Sequence, residues 1–128
     1  MEEVSTDAAP PSIGPFSQAI LDGDRIYVSG QGPVDPETGD IVGETIGEQT
    51  ARTLENIDAV LAAAGRSLDD VVKATVFVQD MADYDEINDV YAEYVSSPYP
   101  ARSAVEVADL PIDIGVEIEV VASTRAEE

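Results

Sequence analysis

The chain has 128 residues and a formal net charge of −21, with 27 acidic and six basic side chains, and it contains neither cysteine nor histidine. These missing residue types exclude disulfides, thiolate nucleophiles, imidazole bases and the usual zinc sites. Any chemistry must therefore use carboxylates, arginine, the lone lysine, hydroxyls, backbone groups and water. Such an acidic surface disfavours nucleic acid as a partner, and its self-repulsion indicates a salt-rich cytoplasm, as in a halophilic microbe.

Length and a hydrophobic content of 44% predict one folded domain over residues 1–128. The N-terminal segment has neither the basic region nor the apolar core of a signal peptide, and no apolar run is long enough to span a membrane. We therefore expect a soluble, cytoplasmic protein. Residues 1–12 are polar, acidic and proline-containing, and we expect them to form a loosely held arm.

The first predicted strands, 17–21 and 25–29, flank an Asp-Gly step that is typical of a hairpin. The second of these strands continues into Ser29-Gly30-Gln31. Glycine at a strand end permits close approach of a ligand or a neighbouring chain, and a simple bulge or turn is the alternative. After a loop over residues 32–43, Thr45 and Glu48 predict a capping box that opens the first helix, which ends near Gly65.

The helical segments each show one apolar face. In the first helix this face comprises Thr50, Leu54, Ile57, Leu61 and Ala64, at three- and four-residue steps. A strand over residues 71–79 follows, with apolar residues toward both faces. Asp83 with Glu86 then predicts the start of a second helix, whose apolar side carries Ile87, Val90, Tyr91 and Tyr94.

The most unusual charge placement lies in two further strands, 102–107 and 115–123. Because side chains alternate along a strand, Arg102 shares a face with Ala104, while Glu117 and Glu119 point away from their apolar neighbours. If these strands pair, a guanidinium could clamp an anion beside a candidate base. The alternative is that Arg102 is a cross-strand partner for the glutamates on a solvated face.

The element order predicts an α+β fold, a mixed sheet with two helices on one face. Two helices cannot bury both sides of strands that are apolar on both sides. We therefore expect the second face to pack against sister subunits.

Several ordered blocks resemble the YjgF/Rid family, the reactive intermediate deaminases, over nearly the whole chain. The blocks are IGPFSQA, SGQGPVDPETGDIVG, EQTARTLENIDAVLAAAG, VVKATVFVQDM, INDVYAEY and PARSAVEVADLP followed by VEIEVVA. The resemblance implies a chorismate-mutase-like fold assembled as a homotrimer, with active sites in clefts between subunits. It also implies hydrolysis of enamine and imine acids such as 2-aminoacrylate and 2-iminobutanoate to 2-oxo acids and ammonia, without cofactor or metal.

The same resemblance implies the roles of individual residues. Arg102 corresponds to the family's carboxylate-binding arginine, and Glu117 to the glutamate that activates water. Ser29 and Gly30 match positions that line the family pocket, where the Gly30 N–H could donate to the carboxylate. Asn88 matches a polar position in the second helix.

Two positions depart from the family pattern. Phe16 replaces a common tyrosine and lacks its hydroxyl, and Ala104 replaces a common cysteine, so both changes make the pocket more apolar. These departures leave open a second interpretation, a ligand-binding regulatory trimer that has lost turnover. Since Arg102 and Glu117 are both present, we favour retained deaminase activity. Ribonuclease activity is disfavoured by the acidic surface.

Overall fold

The computed structural model describes residues 1–125 and contains a single sheet with two α-helices. The strands are β1 (Glu2–Val4), β2 (Ala19–Asp22), β3 (Arg25–Gln31), β4 (Val71–Val78), β5 (Ala101–Glu106) and β6 (Val116–Ser123). The helices are α1 (Ile46–Ala62) and α2 (Tyr84–Tyr94), and 3-10 turns at Leu68–Asp70 and Met81–Asp83 precede β4 and α2. This arrangement confirms the predicted α+β class, a mixed sheet with two helices.

The sheet has the strand order β1-β2-β3-β6-β4-β5, and β4 and β5 form its one parallel pair within the described chain. Parallel neighbours need a crossover connection, and α2 supplies it. The expectation that the last two strands could pair with each other is therefore wrong. After β5 at the edge of the sheet, the chain returns to the centre, where β6 pairs with β3 on one side and β4 on the other. Strand β4 therefore lies between β5 and β6.

Helix α1 forms as the sequence predicts. The Thr45 hydroxyl accepts from the Glu48 N–H while the Glu48 carboxylate accepts from the Thr45 N–H, so the predicted capping box is confirmed. The predicted face is buried at Thr50, Leu54, Ile57 and Leu61 and packs on β3 and β6, whereas Ala64 is partly buried. The main core therefore lies between the sheet and the helices.

Helix α2 begins after Asp83, as predicted, but without the predicted capping contact. Asp83 makes no side-chain capping bond, and the Glu86 carboxylate instead accepts from the Gly47 N–H of α1 at 2.8 Å. Gly47 occupies the first turn of α1, where backbone N–H groups lack helical partners. A Cβ at Gly47 would lie 2.9 Å from Glu86 Oε2. Glu86 thus ties the two helices together.

The second face of the sheet has no covering layer within the described chain. Tyr27 and Val105 are exposed on this face, while Phe77 and Val121 are partly exposed. The sequence prediction of apolar residues on both faces is confirmed, because Val116, Ile118 and Val120 are buried on the helix side.

The N-terminal segment is not a loose arm. Glu2–Val4 pairs with β2 as an edge strand, and Val4 and Ala9 are buried. The Gln18 amide donates to the carbonyls of Thr6, Ala9 and Pro10 and accepts from the Thr6 N–H. The expectation for residues 1–12 fails because one buried amide satisfies backbone groups that the sequence pattern left without partners. No helix within residues 1–125 combines the length and apolarity needed to cross a membrane.

Candidate active site

Arg102 lies on β5, the edge strand, beside Ala74 of β4 and on the helix face of the sheet. Its Nη2 donates to the Tyr84 hydroxyl at 2.9 Å and to Asn88 Oδ1 at 2.7 Å. Both acceptors belong to α2, one helical turn apart. The predicted site residues Arg102 and Asn88 are therefore in direct contact, and the amide fixes the direction of the guanidinium.

Aromatic rings complete the surroundings of Arg102. Its Cζ lies 4.8 Å from the centre of the Tyr91 ring and 5.6 Å from that of Tyr84, within the range of cation–π attraction. Tyr91 is buried, and its hydroxyl has no hydrogen-bond partner within residues 1–125. Burial raises the pKa of Tyr91, and the nearby Arg102 charge opposes part of that rise.

Arg102 has no carboxylate partner in the described chain. The ion pairs found within residues 1–125 both involve Asp24, which contacts Arg25 and Arg125. The alternative interpretation, in which Arg102 is a cross-strand partner for the strand glutamates, is therefore not what the structure shows. In a chain with 27 acidic residues, a half-buried guanidinium held by neutral groups retains its full charge for an external anion.

Glu117 lies on β6, beside Phe77 of β4, and projects from the face opposite the helices. Burial raises the pKa of its carboxyl, and repulsion from the exposed Glu119 raises it further. A carboxylate whose pKa is raised is a stronger proton acceptor than an ordinary glutamate.

A pocket of about 240 Å³ opens beside this carboxylate. It brings together three predicted residues, Phe16, Gly30 and Glu117. The remaining lining is mostly apolar and comprises Pro10, Pro11, Ser12, Ile13, Gln31, Gly32, Val34, Pro111, Ile112 and Ile114. A Cβ at Gly30 would lie 2.8 Å from Glu117 Cδ, so glycine is what allows the carboxylate to rest against β3. The site thus pairs a proton acceptor with an apolar hollow.

The remaining predicted residues, Ser29 and Ala104, also lie outside this hollow. The Ser29 hydroxyl donates to the Ser17 carbonyl at 2.7 Å, and this bond joins β3 to the segment before β2. Ala104 is partly buried against the core, on the same face as Arg102. A larger depression of about 540 Å³ lies between residues 67–71 and 95–100, and it contains none of the predicted site residues.

One chain does not bring Arg102 and Glu117 together. They align with positions of β4 three residues apart, Ala74 and Phe77, and an odd separation places side chains on opposite faces. The separation is also about 10 Å along the strands and about 10 Å across them. The structure therefore separates the predicted catalytic residues into two groups, which we call half-sites, one around Arg102 and one around Glu117.

Tyr84 is the contact of Arg102 that sequence reasoning missed. Its signal was present, because Tyr84, Asn88 and Tyr91 recur at four- and three-residue steps and so share one face of α2. Of these three residues, the sequence pattern assigned Tyr91 to the apolar side of the helix, the family resemblance assigned Asn88 to the pocket, and neither gave Tyr84 a role. Residues 1–125 hold no group of three or more acidic side chains arranged to bind a metal ion.

Comparison with known proteins identifies close relatives over nearly the full length. Residues 6–124 match the family model described as endoribonuclease L-PSP. A RutC family protein from Pyrococcus horikoshii is 52% identical over 94% of this chain and 96% of its own length. The bovine protein named 2-iminobutanoate/2-iminopropanoate deaminase is 46% identical over 93% of this chain and 87% of its own.

Solved structures show the same fold. The structure of TdcF from E. coli with bound serine superposes with a TM-score of 0.91 at 40% identity. The match covers 98% of this chain and all of TdcF.

Proposed function

The chain belongs to the endoribonuclease L-PSP family, also called YjgF/Rid, and from this membership we propose that it hydrolyses reactive enamine and imine acids to 2-oxo acids and ammonia. The proposed substrates are 2-aminoacrylate and 2-iminobutanoate. The observation that carries the proposal is the Arg102 guanidinium, which is half-buried, held by neutral groups and without a carboxylate partner in residues 1–125.

Arg102 would bind the substrate carboxylate, because a planar guanidinium offers parallel N–H donors to two carboxylate oxygens. TdcF was solved with serine, a ligand that also carries a carboxylate, and this supports an acid as the ligand of the present site. The bovine relative is named for 2-imino acids, which supports the proposed class of substrate.

Glu117 would act as the general base. It would take a proton from water as the oxygen attacks the imine carbon and pass that proton to the nitrogen, which gives a carbinolamine. It would then take the proton of the new hydroxyl and pass it to the amine, so that the C=O bond forms as the C–N bond breaks and ammonia leaves. The raised pKa of Glu117 supports this role, since a carboxylate whose pKa is raised is a stronger proton acceptor than an ordinary one. The apolar hollow beside Glu117 would hold the substrate side chain.

The two half-sites would meet between subunits of a homotrimer. The exposed apolar face of the sheet, which carries Tyr27, Phe77, Val105 and Val121, supports contact with further copies of the chain. Such a contact would bring the Arg102 edge of one protomer toward the Glu117 pocket of its neighbour. In such an assembly, Arg102 and Glu117 of the same chain would belong to two different sites and need not lie close together.

Hydrolysis is tested by coupling the protein to a threonine dehydratase and timing the appearance of 2-oxobutanoate. We expect faster release than the spontaneous rate, loss of that acceleration in Arg102→Ala, and little recovery in Arg102→Lys, because an ammonium cannot form the planar fork. Arg66→Ala is the matched control, since Arg66 lies in the turn after α1. Equal rates for wild type and Arg102→Ala would contradict the proposal.

A ligand-binding trimer without turnover is the second candidate. Phe16 favours it, because this ring lines the Glu117 pocket but carries no hydroxyl to orient a water molecule. The same assay separates the two candidates. Binding of 2-oxobutanoate without acceleration over spontaneous hydrolysis would indicate the binding role.

A further inference from the structure

Arg102 presents its donors in an arrangement that limits how an anion can bind. A guanidinium grips a carboxylate through two parallel N–H groups, either Nη1 with Nη2 or Nε with Nη2. Nη2 takes part in both arrangements. In this structure Nη2 donates to Tyr84 and to Asn88, so both of its hydrogens are in use. A two-pronged grip on a carboxylate therefore requires one of these two bonds to be released.

The two partners of Nη2 differ in what they offer an incoming carboxylate. Asn88 Oδ1 is only an acceptor, and once released it would face a carboxylate oxygen with like partial charge. The Tyr84 hydroxyl accepts from Arg102 but still has its own proton to donate. The Tyr84 bond is also the longer of the two, 2.9 Å against 2.7 Å. Tyr84 is thus the partner that can give up its bond to Arg102 and form a new one to the carboxylate.

We propose that Tyr84 is an anion-specificity residue: its hydroxyl releases Arg102 Nη2 when substrate enters and donates its proton to the substrate carboxylate. This inference rests on the proposed function, because it assigns the same Arg102 as the carboxylate site. In the empty protein the hydroxyl keeps the guanidinium aligned. In the complex it becomes a third donor to the anion, beside the two N–H groups of Arg102.

The surroundings of Tyr84 agree with this exchange. Tyr84 is half-buried at the first position of α2, and its hydroxyl has Arg102 as its one hydrogen-bond partner within residues 1–125. Release of that bond therefore breaks no other contact of the hydroxyl. The Tyr91 ring and Asn88 continue to hold the guanidinium when Tyr84 changes partner.

The test measures binding rather than turnover, with 2-oxobutanoate and its uncharged analogue 2-oxobutanamide as probes. We expect Tyr84→Phe to weaken 2-oxobutanoate about tenfold, the effect of losing one charge-assisted hydrogen bond. Binding of the amide should change by less than about twofold, because no carboxylate is present to receive the proton. Titration by ligand-observed NMR reaches the millimolar range that small acids require.

Tyr94→Phe is the matched control. Tyr94 also lies on α2, but its hydroxyl donates to Glu55, so its removal should leave both affinities unchanged. Wild-type or tighter binding of 2-oxobutanoate by Tyr84→Phe would overturn the inference, and so would an equal loss for both probes, which a merely structural role produces. Arg102→Ala distinguishes a failure of the Tyr84 inference from a failure of the proposed function. If it binds 2-oxobutanoate as wild type does, the carboxylate site itself is wrong.

Discussion

Arg102 and Glu117 project from opposite faces of one sheet, with β4 between their strands. A guanidinium and a carboxylate in this relationship cannot act on one small substrate within a single chain. The proposed reaction therefore requires two copies of the chain, one contributing through the edge strand β5 and the other through the pocket beside β6. The first prediction follows directly from this separation.

Mixing two inactive variants should restore activity. Arg102→Ala keeps Glu117, and Glu117→Gln keeps Arg102, so an interface is intact when the Glu117→Gln chain supplies Arg102 and the Arg102→Ala chain supplies Glu117. Random assembly at equal amounts should recover up to about a quarter of the wild-type rate, because one interface in four joins the two intact groups. The measurement is 2-oxobutanoate release after co-refolding. Each variant refolded alone is the control, and a mixture as inactive as its components would contradict a site that Arg102 and Glu117 of different protomers share.

Glu117→Gln should stabilise the protein at neutral pH. The pKa of Glu117 is raised from 4.5 by burial and by Glu119, so the folded state binds this proton more tightly than the unfolded chain does. This carboxyl therefore adds stability below about pH 4.5, and the contribution is lost as pH rises through the raised pKa. Glutamine never ionises, and the variant should melt a few degrees higher than wild type at pH 7.

The difference between Glu117→Gln and wild type should disappear toward pH 4, where both side chains are neutral. Thermal unfolding followed by circular dichroism between pH 4 and pH 8 measures it. Glu119→Gln is the matched control: Glu119 is exposed, so its substitution removes the repulsion but not the burial, and a smaller rise is expected. A lower melting temperature for Glu117→Gln at pH 7 would show that the carboxylate has a stabilising partner in the assembly.

Gly30→Ala should impair turnover more than stability. The added methyl group would overlap the end of the Glu117 side chain, which is flexible and can swing aside without disturbing the backbone. The fold should therefore survive while the carboxylate leaves its position, and kcat should fall at least about tenfold, as for loss of a positioned general base. In the Glu117→Gln background the same substitution should cause little further loss. Independent, multiplicative losses would show that Gly30 acts through something other than Glu117.

The sequence predicted local features well because they depend on near neighbours. Alternation along β6 placed Glu117 and Val116 on opposite faces, and the Thr45 and Glu48 pair formed its capping box as expected. Both patterns are set by backbone geometry within a few residues. Local patterns did not single out candidate site residues. The family resemblance, which the comparisons confirm, did so.

Pairings between distant segments were harder to predict. Nothing local to residues 102–123 indicates that β4 inserts between β5 and β6, although a strand, a helix and a strand in succession are typical of a parallel crossover. Glu86 was assigned to its own helix by spacing alone, yet it binds the Gly47 N–H of α1. Backbone N–H donors at the start of either helix were available to the same carboxylate, and tertiary packing decided between them.

Salt should increase turnover at low substrate concentration. The proposed substrate is an anion and the protein carries a net charge of −21, so long-range repulsion opposes capture. Raising KCl from 0.1 M to 1 M shortens the Debye length from about 10 Å to about 3 Å and screens that repulsion. Steady-state kinetics should show kcat/KM rising several-fold across this range. A fall in kcat/KM, with the assembly intact by light scattering, would contradict the prediction.

Tyr91→Phe should leave turnover unchanged and should not destabilise the protein. The phenylalanine ring keeps the cation–π contact with Arg102, which lies 4.8 Å from the ring centre. The lost hydroxyl is buried without a partner within residues 1–125, and an unpaired buried hydroxyl costs about 1–3 kcal/mol. The free energy of unfolding, measured by urea titration, should therefore stay the same or rise. Tyr91→Leu is the informative contrast, because it removes the ring beneath the guanidinium and should raise the KM for 2-iminobutanoate. Lower stability in Tyr91→Phe would mean that the hydroxyl acquires a partner when the chains assemble.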